Sequence, residues 1–144
     1  MNKNRIEQLF RTDQLRKRQI DQERVKSMIN SAEMNAKIAK TIPLNEESAT
    51  VVFREIYESI RQFGDATWWL LGYEPRNHEV SIEILQEMDI DKNVLLNQLP
   101  RYKKIRNDAN YRGFKVTTSQ AKEILEFWNT CSENIKTLLF QKPK

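Results

Sequence analysis

Residues 45–72 read NEESATVVFREIYESIRQFGDATWWLLG and contain the best-defined helical pattern of this 144-residue chain. Apolar residues recur there every three or four positions, which predicts a helix of about seven turns at 3.6 residues per turn. Asn45 is expected to cap its start, where Glu46 and Glu47 suit the positive end of the helix dipole. Gly72 is expected to end it. The buried stripe is predicted to contain Ala49, Val52, Phe53, Ile56, Ile60, Phe63, Thr67 and Leu70.

Two features inside this stretch predict contacts with other elements. Gly64 costs a helix about 1 kcal/mol relative to alanine, so a close crossing by another helix is the simplest reason for its presence. Trp68 and Trp69 are adjacent and therefore cannot both face one core. We expect one in the core and the other at a helix or subunit contact.

The rest of the chain repeats the helical spacing. A second long pattern covers 21–41, where small alanines favour close packing, and Pro43 stops it. Shorter patterns occupy 6–10, 78–88, 94–112 and 117–139, and no alternating run predicts a strand. The predicted fold is all-α, an up-and-down bundle of five or six helices built on an antiparallel pair at 21–41 and 45–71.

Composition limits the function classes. We expect one domain over 1–144, with its core at about 20–140 and a basic N-terminal segment at 1–18. A single cysteine, Cys131, excludes a disulfide within the chain, and a single histidine, His78, leaves no histidine cluster for zinc. We therefore expect no metal site and no cofactor. Without a signal peptide or an apolar run of membrane-spanning length, the sequence predicts a cytoplasmic protein that does not enter a membrane.

The net charge of +4 is mild, but cations concentrate in the stretch 101–115. Tyr102, Tyr111 and Phe114 lie among them, and one acid, Asp108, opposes them. Cations suit phosphate and flat rings suit bases, so the stretch favours nucleic-acid binding. A solvated helix end, with cations near the negative end of the dipole, is the alternative. The cations are Arg101, Lys103, Lys104, Arg106, Arg112 and Lys115.

Two segments together resemble the HEPN superfamily, small helical domains often encoded beside nucleotidyltransferases. The first is FREIYESIRQFGDATWWLLG at 53–72, followed by His78 at the start of the next helix. The second is IRNDANY at 105–111, followed by a Val/Thr start of an alanine-containing C-terminal helix. The resemblance covers roughly 20–140 and implies a dimer with a cleft between its subunits.

In the members of that superfamily that are metal-independent ribonucleases, an arginine is followed after four to six residues by a histidine. Here Arg106 is the corresponding arginine and Asn107 its polar neighbour, but Tyr111, Arg112 and Gly113 occupy the histidine's range. Histidine exchanges protons near neutral pH, whereas an unperturbed tyrosine has a pKa of about 10. The resemblance therefore implies the fold and the cleft without the usual proton-transfer group.

The leading hypothesis is a HEPN-like dimeric module that binds RNA or a nucleotide and has a nucleotidyltransferase partner in a toxin–antitoxin or defence context. Arg106 would grip phosphate, and Asn107 and Asn110 would form hydrogen bonds. Tyr111 would stack on a base or form a hydrogen bond with the phosphate. Arg101, Lys104 and Arg112 would add long-range attraction. We expect Arg106 and Tyr111 to lie close together at the subunit interface. The predicted binding residues are Arg101, Lys104, Arg106, Asn107, Asn110, Tyr111 and Arg112.

Two alternatives have their own signatures. A metal-independent ribonuclease toxin would use Arg106 to stabilise the phosphorane and a tuned Tyr111 for proton transfer, which makes these two the catalytic candidates. A purely structural or interaction bundle would pair Arg106 with an acid and place Tyr111 in the core.

Overall fold

The computed structural model describes residues 1–140 and contains six α-helices in that range, in agreement with the predicted all-α fold. A short antiparallel sheet and a 3₁₀ helix at Asn93–Gln98 complete the described elements. In chain order the helices and strands are α1 (Lys3–Arg11), β1 (Leu15–Lys17), α2 (Gln22–Lys40), α3 (Ala49–Leu70), β2 (Tyr73–Pro75), α4 (His78–Leu85), α5 (Leu99–Arg112) and α6 (Thr118–Leu139).

Local capping signals fix most helix ends where the sequence predicts them. The Asn77 side chain accepts from the Val80 amide and starts α4, and Thr117 and Gln120 form a reciprocal capping box at α6. Gly113 ends α5 with a left-handed φ of 70°. The start of α3 differs from its prediction, because the Asn45 side chain accepts from the amides of Glu47 and Ser48 and closes a turn instead. The helix therefore begins at Ala49, four residues after Asn45.

Helix α3 is the central element of the bundle, and α2, α4, α5 and α6 all pack against it. Its predicted apolar stripe is buried except for Leu70, which is partly buried, and the inner faces of α2 and α6 are buried with it. Tyr102 of α5 lies between two rings of this core, with centroid distances of 6.1 Å to Phe53 and 5.6 Å to Phe127. Cys131 is buried on the inner face of α6, in keeping with a structural thiol.

The two adjacent tryptophans face different apolar clusters, both within the chain. Trp69 belongs to the main core, whereas Trp68 joins Leu9, Leu15 and Val80 in a second cluster beneath α1. The Trp68 indole Nε1 donates to the Val80 carbonyl oxygen at 2.8 Å. Trp68 thus makes a helix contact, and neither side chain is left for a subunit contact.

The sequence did not predict the two-stranded sheet. β1 and β2 pair antiparallel, with Leu15 opposite Pro75 and Lys17 opposite Tyr73. Each strand has three residues, which is too short for an alternating pattern to appear. The pairing fixes the N-terminal segment against the end of α3, since the Arg18 amide also donates to the Gly72 carbonyl oxygen at 2.9 Å.

Gly64 lies where α3 crosses α4, as its presence in a helix predicts. A Cβ atom at position 64 would overlap the carbonyl oxygen of Ser81 and crowd that residue's backbone. The two helix backbones therefore approach as closely as they do because position 64 has no side chain. Within residues 1–140, no helix is both long and apolar enough to cross a membrane.

Replacing Gly64 with alanine should lower the free energy of unfolding by about 1–3 kcal/mol, because overpacking at a backbone contact outweighs the alanine's helix propensity. Chemical denaturation of the purified variant measures the change. Glu55→Ala, at an exposed position of the same helix, is the matched control and should change stability little. An unchanged or higher stability of Gly64→Ala would contradict the close crossing.

Candidate functional site

The predicted binding residues of α5 divide between two sides of the helix. Arg106 and Asn110 are one helical turn apart and share a side, and the Arg106 guanidinium donates to the Asn107 side chain, so we group these three residues. Arg101, Lys104 and Arg112 share a different side with Asp108. We call the first set the inner side, because Arg106 contacts α3, and the second set the outer side.

The outer-side cations have acid partners from the chain itself. Arg101 forms an ion pair with Glu123 of α6, and Asp108 accepts from Lys104 at 3.4 Å and lies 4.0 Å from Arg112. These pairs offset much of the positive charge that the sequence concentrates here. Long-range attraction of an anion by Arg101, Lys104 and Arg112 is therefore weaker than the sequence alone predicts.

Arg106 is in a different position. Its guanidinium carbon lies 5.8 Å from the centre of the Tyr57 ring, and its Nη1 donates to the Asn107 side-chain oxygen at 3.2 Å. The side chain is half-buried, yet none of the ion pairs within residues 1–140 involves it. The arrangement differs from the structural alternative, in which an acid would hold Arg106.

Arg106 and Tyr111 do not face the same way, contrary to our expectation that they lie close together. Five residues of α-helix correspond to a rotation of about 500°, which leaves these two positions roughly 140° apart around the axis. Arg106 turns toward α3, whereas Tyr111 is 78% exposed. That exposure also differs from the structural alternative, which placed Tyr111 in the core.

The end of α5 instead forms an exposed aromatic surface. Tyr111 and Phe114, which is 53% exposed, stand near Arg112, whose guanidinium carbon lies 4.9 Å from the Phe114 ring centre. Asn110 and Lys115 are exposed beside them. We call Tyr111, Arg112 and Phe114 the terminal surface of α5.

A polar cluster between α3 and α4 was missed by the sequence analysis. Arg61 donates to Glu58 one turn before it and to Asp65 one turn after it, the latter at 2.6 Å. The Ser81 hydroxyl of α4 donates to the other Asp65 oxygen. With His78, at the first turn of α4, these residues form what we call the α3–α4 polar cluster.

The environment shifts the pKa values of this cluster in opposite directions. Burial raises the pKa of Asp65 and outweighs Arg61 and the Ser81 hydrogen bond. Burial also tends to raise the pKa of Glu58, but the hydrogen bonds from Arg61 and the positive charge of Arg61 hold this pKa below its usual value. Burial raises the pKa of Tyr57 to about 12, against the charges of Arg106 and Arg61.

His78 is exposed, but it lies within the electrostatic range of Arg106. Partial desolvation and the positive charge of Arg61 lower the pKa of His78, and Arg106 acts in the same direction while Glu58 opposes them. The charge of Arg106 on α5 thus acts on the single histidine of the chain, which belongs to a different helix. The spacings of Glu58, Arg61 and Asp65, at i, i+3 and i+7, were the one sequence signal of the cluster.

The described residues contain no group of three or more histidine, cysteine, aspartate or glutamate side chains placed to hold a metal ion. No protein-family model matches the chain, and no curated protein or solved structure is significantly similar to it. The candidate site therefore stands on its own geometry, which consists of Arg106, the α3–α4 polar cluster beside it, and the terminal surface of α5.

The pKa of His78 should lie below its ordinary value of 6.5, and Arg106→Gln should raise it, because removing a nearby cation favours the charged imidazole. An NMR titration of the imidazole protons measures it without ambiguity, since the chain has one histidine. Arg101→Gln, which removes a cation paired with Glu123, should leave the His78 pKa unchanged. If Arg106→Gln and Arg101→Gln change the pKa of His78 equally, Arg106 does not act on His78 as the structure indicates.

Proposed function

We propose that the protein is a HEPN-like dimeric module that binds single-stranded RNA through α5. The observation that carries the proposal is Arg106, a half-buried residue for which residues 1–140 provide no acid within 4.0 Å. Arginine side chains that are buried are normally paired with an acid. Lys103 and the outer-side cations have acids within 4.0 Å, so Arg106 stands apart from its neighbours.

A phosphate group is a suitable partner for this guanidinium. Arginine carries five N–H donors in a planar fork that matches two phosphate oxygens, and Asn107 uses one of them. The Tyr57 ring beneath the guanidinium restricts its orientation. Asn107 and Asn110, on the same side of α5, add amide donors for further phosphate or sugar oxygens.

The terminal surface of α5 is suited to bases. Tyr111 and Phe114 expose large ring areas, and Arg112 adds a guanidinium that also stacks on bases. Exposed aromatic rings next to cations bind single strands with little sequence preference, because every base has a π-face. A strand that passes from Arg106 to Tyr111 would have to follow the helix around part of its circumference, which suits a flexible single strand.

The dimer, the nucleotidyltransferase partner and the toxin–antitoxin or defence context rest on the family resemblance, whereas the cytoplasmic location rests on the composition of the sequence. Trp68 and Trp69 are buried within the chain, so neither tryptophan is available for a dimer interface. An isologous pair remains the commonest solution for an oligomer of one chain. Light scattering that shows a monomer at micromolar concentration would contradict the dimer.

A second candidate function is metal-independent RNA cleavage, for which His78, at the start of α4, is the candidate base. In this reaction a base removes the proton of a ribose 2′-hydroxyl, and the 2′-oxygen attacks the adjacent phosphorus. The bond from phosphorus to the 5′-oxygen breaks, and the protonated base or water gives that oxygen a proton. A 2′,3′-cyclic phosphate and a 5′-hydroxyl result. His78, with a lowered pKa, is suited to act as the general base, and Arg106 is suited to stabilise the negative charge of the phosphorane. Tyr111, exposed on another side of α5, is the weaker candidate for proton transfer.

Purified protein should bind a fluorescein-labelled single-stranded RNA weakly, and Arg106→Ala should weaken binding by about tenfold or more, as expected for a lost charge-assisted hydrogen bond. Tyr111→Ala should cost about 1–3 kcal/mol in binding free energy, whereas Tyr111→Phe should cost little, since the stacking ring remains. Fluorescence anisotropy measures each affinity, and added salt should weaken binding through counterion release.

Arg106→Lys is the matched control, because it keeps the charge and loses the planar fork. Thermal unfolding of each variant separates binding from stability. Absence of binding by the wild type, with Arg106→Ala changing only the melting temperature, would favour a structural role. Cleavage in EDTA to a cyclic phosphate, lost in His78→Gln and kept in Tyr111→Phe, would establish the ribonuclease instead.

A further inference from the structure

A groove of about 420 Å³ lies between α1 and the sheet, apart from the residues proposed to bind RNA. One wall is a single side of α1, where Lys3, Ile6, Phe10 and Arg11 follow each other at helical spacing. The opposite wall is the paired rung of Lys17 and Tyr73, whose side chains share one face of the sheet. Its volume is within the range of small-molecule sites, about 300–1,000 Å³.

The aromatic part of the groove is held by the second apolar cluster. The Tyr73 ring meets the buried Trp68 edge to face, with 6.0 Å between centroids and 85° between planes. Trp68 is fixed in turn by its hydrogen bond to Val80. Phe10 is 45% exposed and lies 5.9 Å from the Lys17 ammonium, so an apolar ring is presented beside a cation.

The groove is also positively charged. Three cations, Lys3, Arg11 and Lys17, face one acid, Glu7, which leaves a net charge of 3 − 1 = +2 among its lining residues. None of these four side chains takes part in the ion pairs formed within residues 1–140. Cations gathered around a concave surface and left without acids attract an anion.

We propose that this groove binds an aromatic phosphate monoester with the chemistry of a nucleoside 5′-phosphate. The ring packs against Phe10 and Tyr73, the phosphate lies among Lys3, Arg11 and Lys17, and Glu7 accepts from a ribose hydroxyl. A phosphate monoester carries a charge of about −1.5 to −2 at pH 7, which matches the groove, whereas a carboxylate carries half as much. The ligand is a free nucleotide or the 5′-phosphorylated end of an RNA strand.

Isothermal titration calorimetry of the full chain with AMP tests the site. AMP should bind, while adenosine, which lacks the phosphate, and inorganic phosphate, which lacks the ring, should each bind at least about tenfold more weakly. Phe10→Ala should weaken AMP binding by about tenfold. Lys17→Gln should weaken it roughly two- to fivefold, as expected for one exposed cation.

Competition by a 5′-phosphorylated RNA, but not by its 5′-hydroxyl form, would identify a strand end as the ligand. No competition by either RNA would identify a free nucleotide.

Tyr111→Ala and Arg106→Ala serve as controls from the proposed RNA site, and both should leave the AMP affinity unchanged. The groove proposal can therefore fail while the RNA proposal holds, and the RNA proposal can fail while the groove proposal holds. No heat of binding at millimolar AMP would overturn it, as would AMP binding that Phe10→Ala and Lys17→Gln leave intact. Loss of AMP binding in Arg106→Ala alone would move the nucleotide to α5 and equally overturn the assignment to the groove.

Discussion

The contact between the backbones of α3 and α4 at Gly64 and Ser81 is the constraint on which the candidate site depends. Because position 64 has no side chain, α4 lies directly against α3, and the Ser81 hydroxyl reaches the carboxylate of Asp65. Asp65 in turn holds Arg61, which also holds Glu58. The crossing therefore determines both the position of His78 and the charges around it.

About half of the lysines and arginines within residues 1–140 form ion pairs with acids of the chain. Acids of α4, α5 and α6 engage Lys103, Lys104, Arg112 and Arg101, so the basic stretch that dominates the sequence is largely offset in the fold. Exposed pairs of this kind contribute little to stability, roughly 0–1 kcal/mol each, but they do reduce the field that an approaching anion meets. The positions of the cations without acids then matter more to binding than the net charge of +4.

Trp68 connects the N-terminal segment to the bundle. Its buried indole touches the cluster that includes Leu9 and Leu15, donates to the backbone of α4, and supports the Tyr73 ring. Together with the β1–β2 pairing, this packing gives α1 a fixed position beside the end of α3. A segment that reads as basic and polar thereby becomes one wall of a defined groove.

The sequence by itself determined the helices, since their apolar period and caps are local. Asn77 starts α4 and Gly113 ends α5 where predicted, and Gly64 marks the crossing of α3 with α4. Even the separation of Arg106 and Tyr111 follows from helical rotation, although which of them faces α3 does not. Only the tertiary structure decided the strand pairing, the ion-pair partners of α5 and the charges that act on His78. These depend on contacts between residues distant in the chain, which packing around α3 selects and local periodicity does not encode.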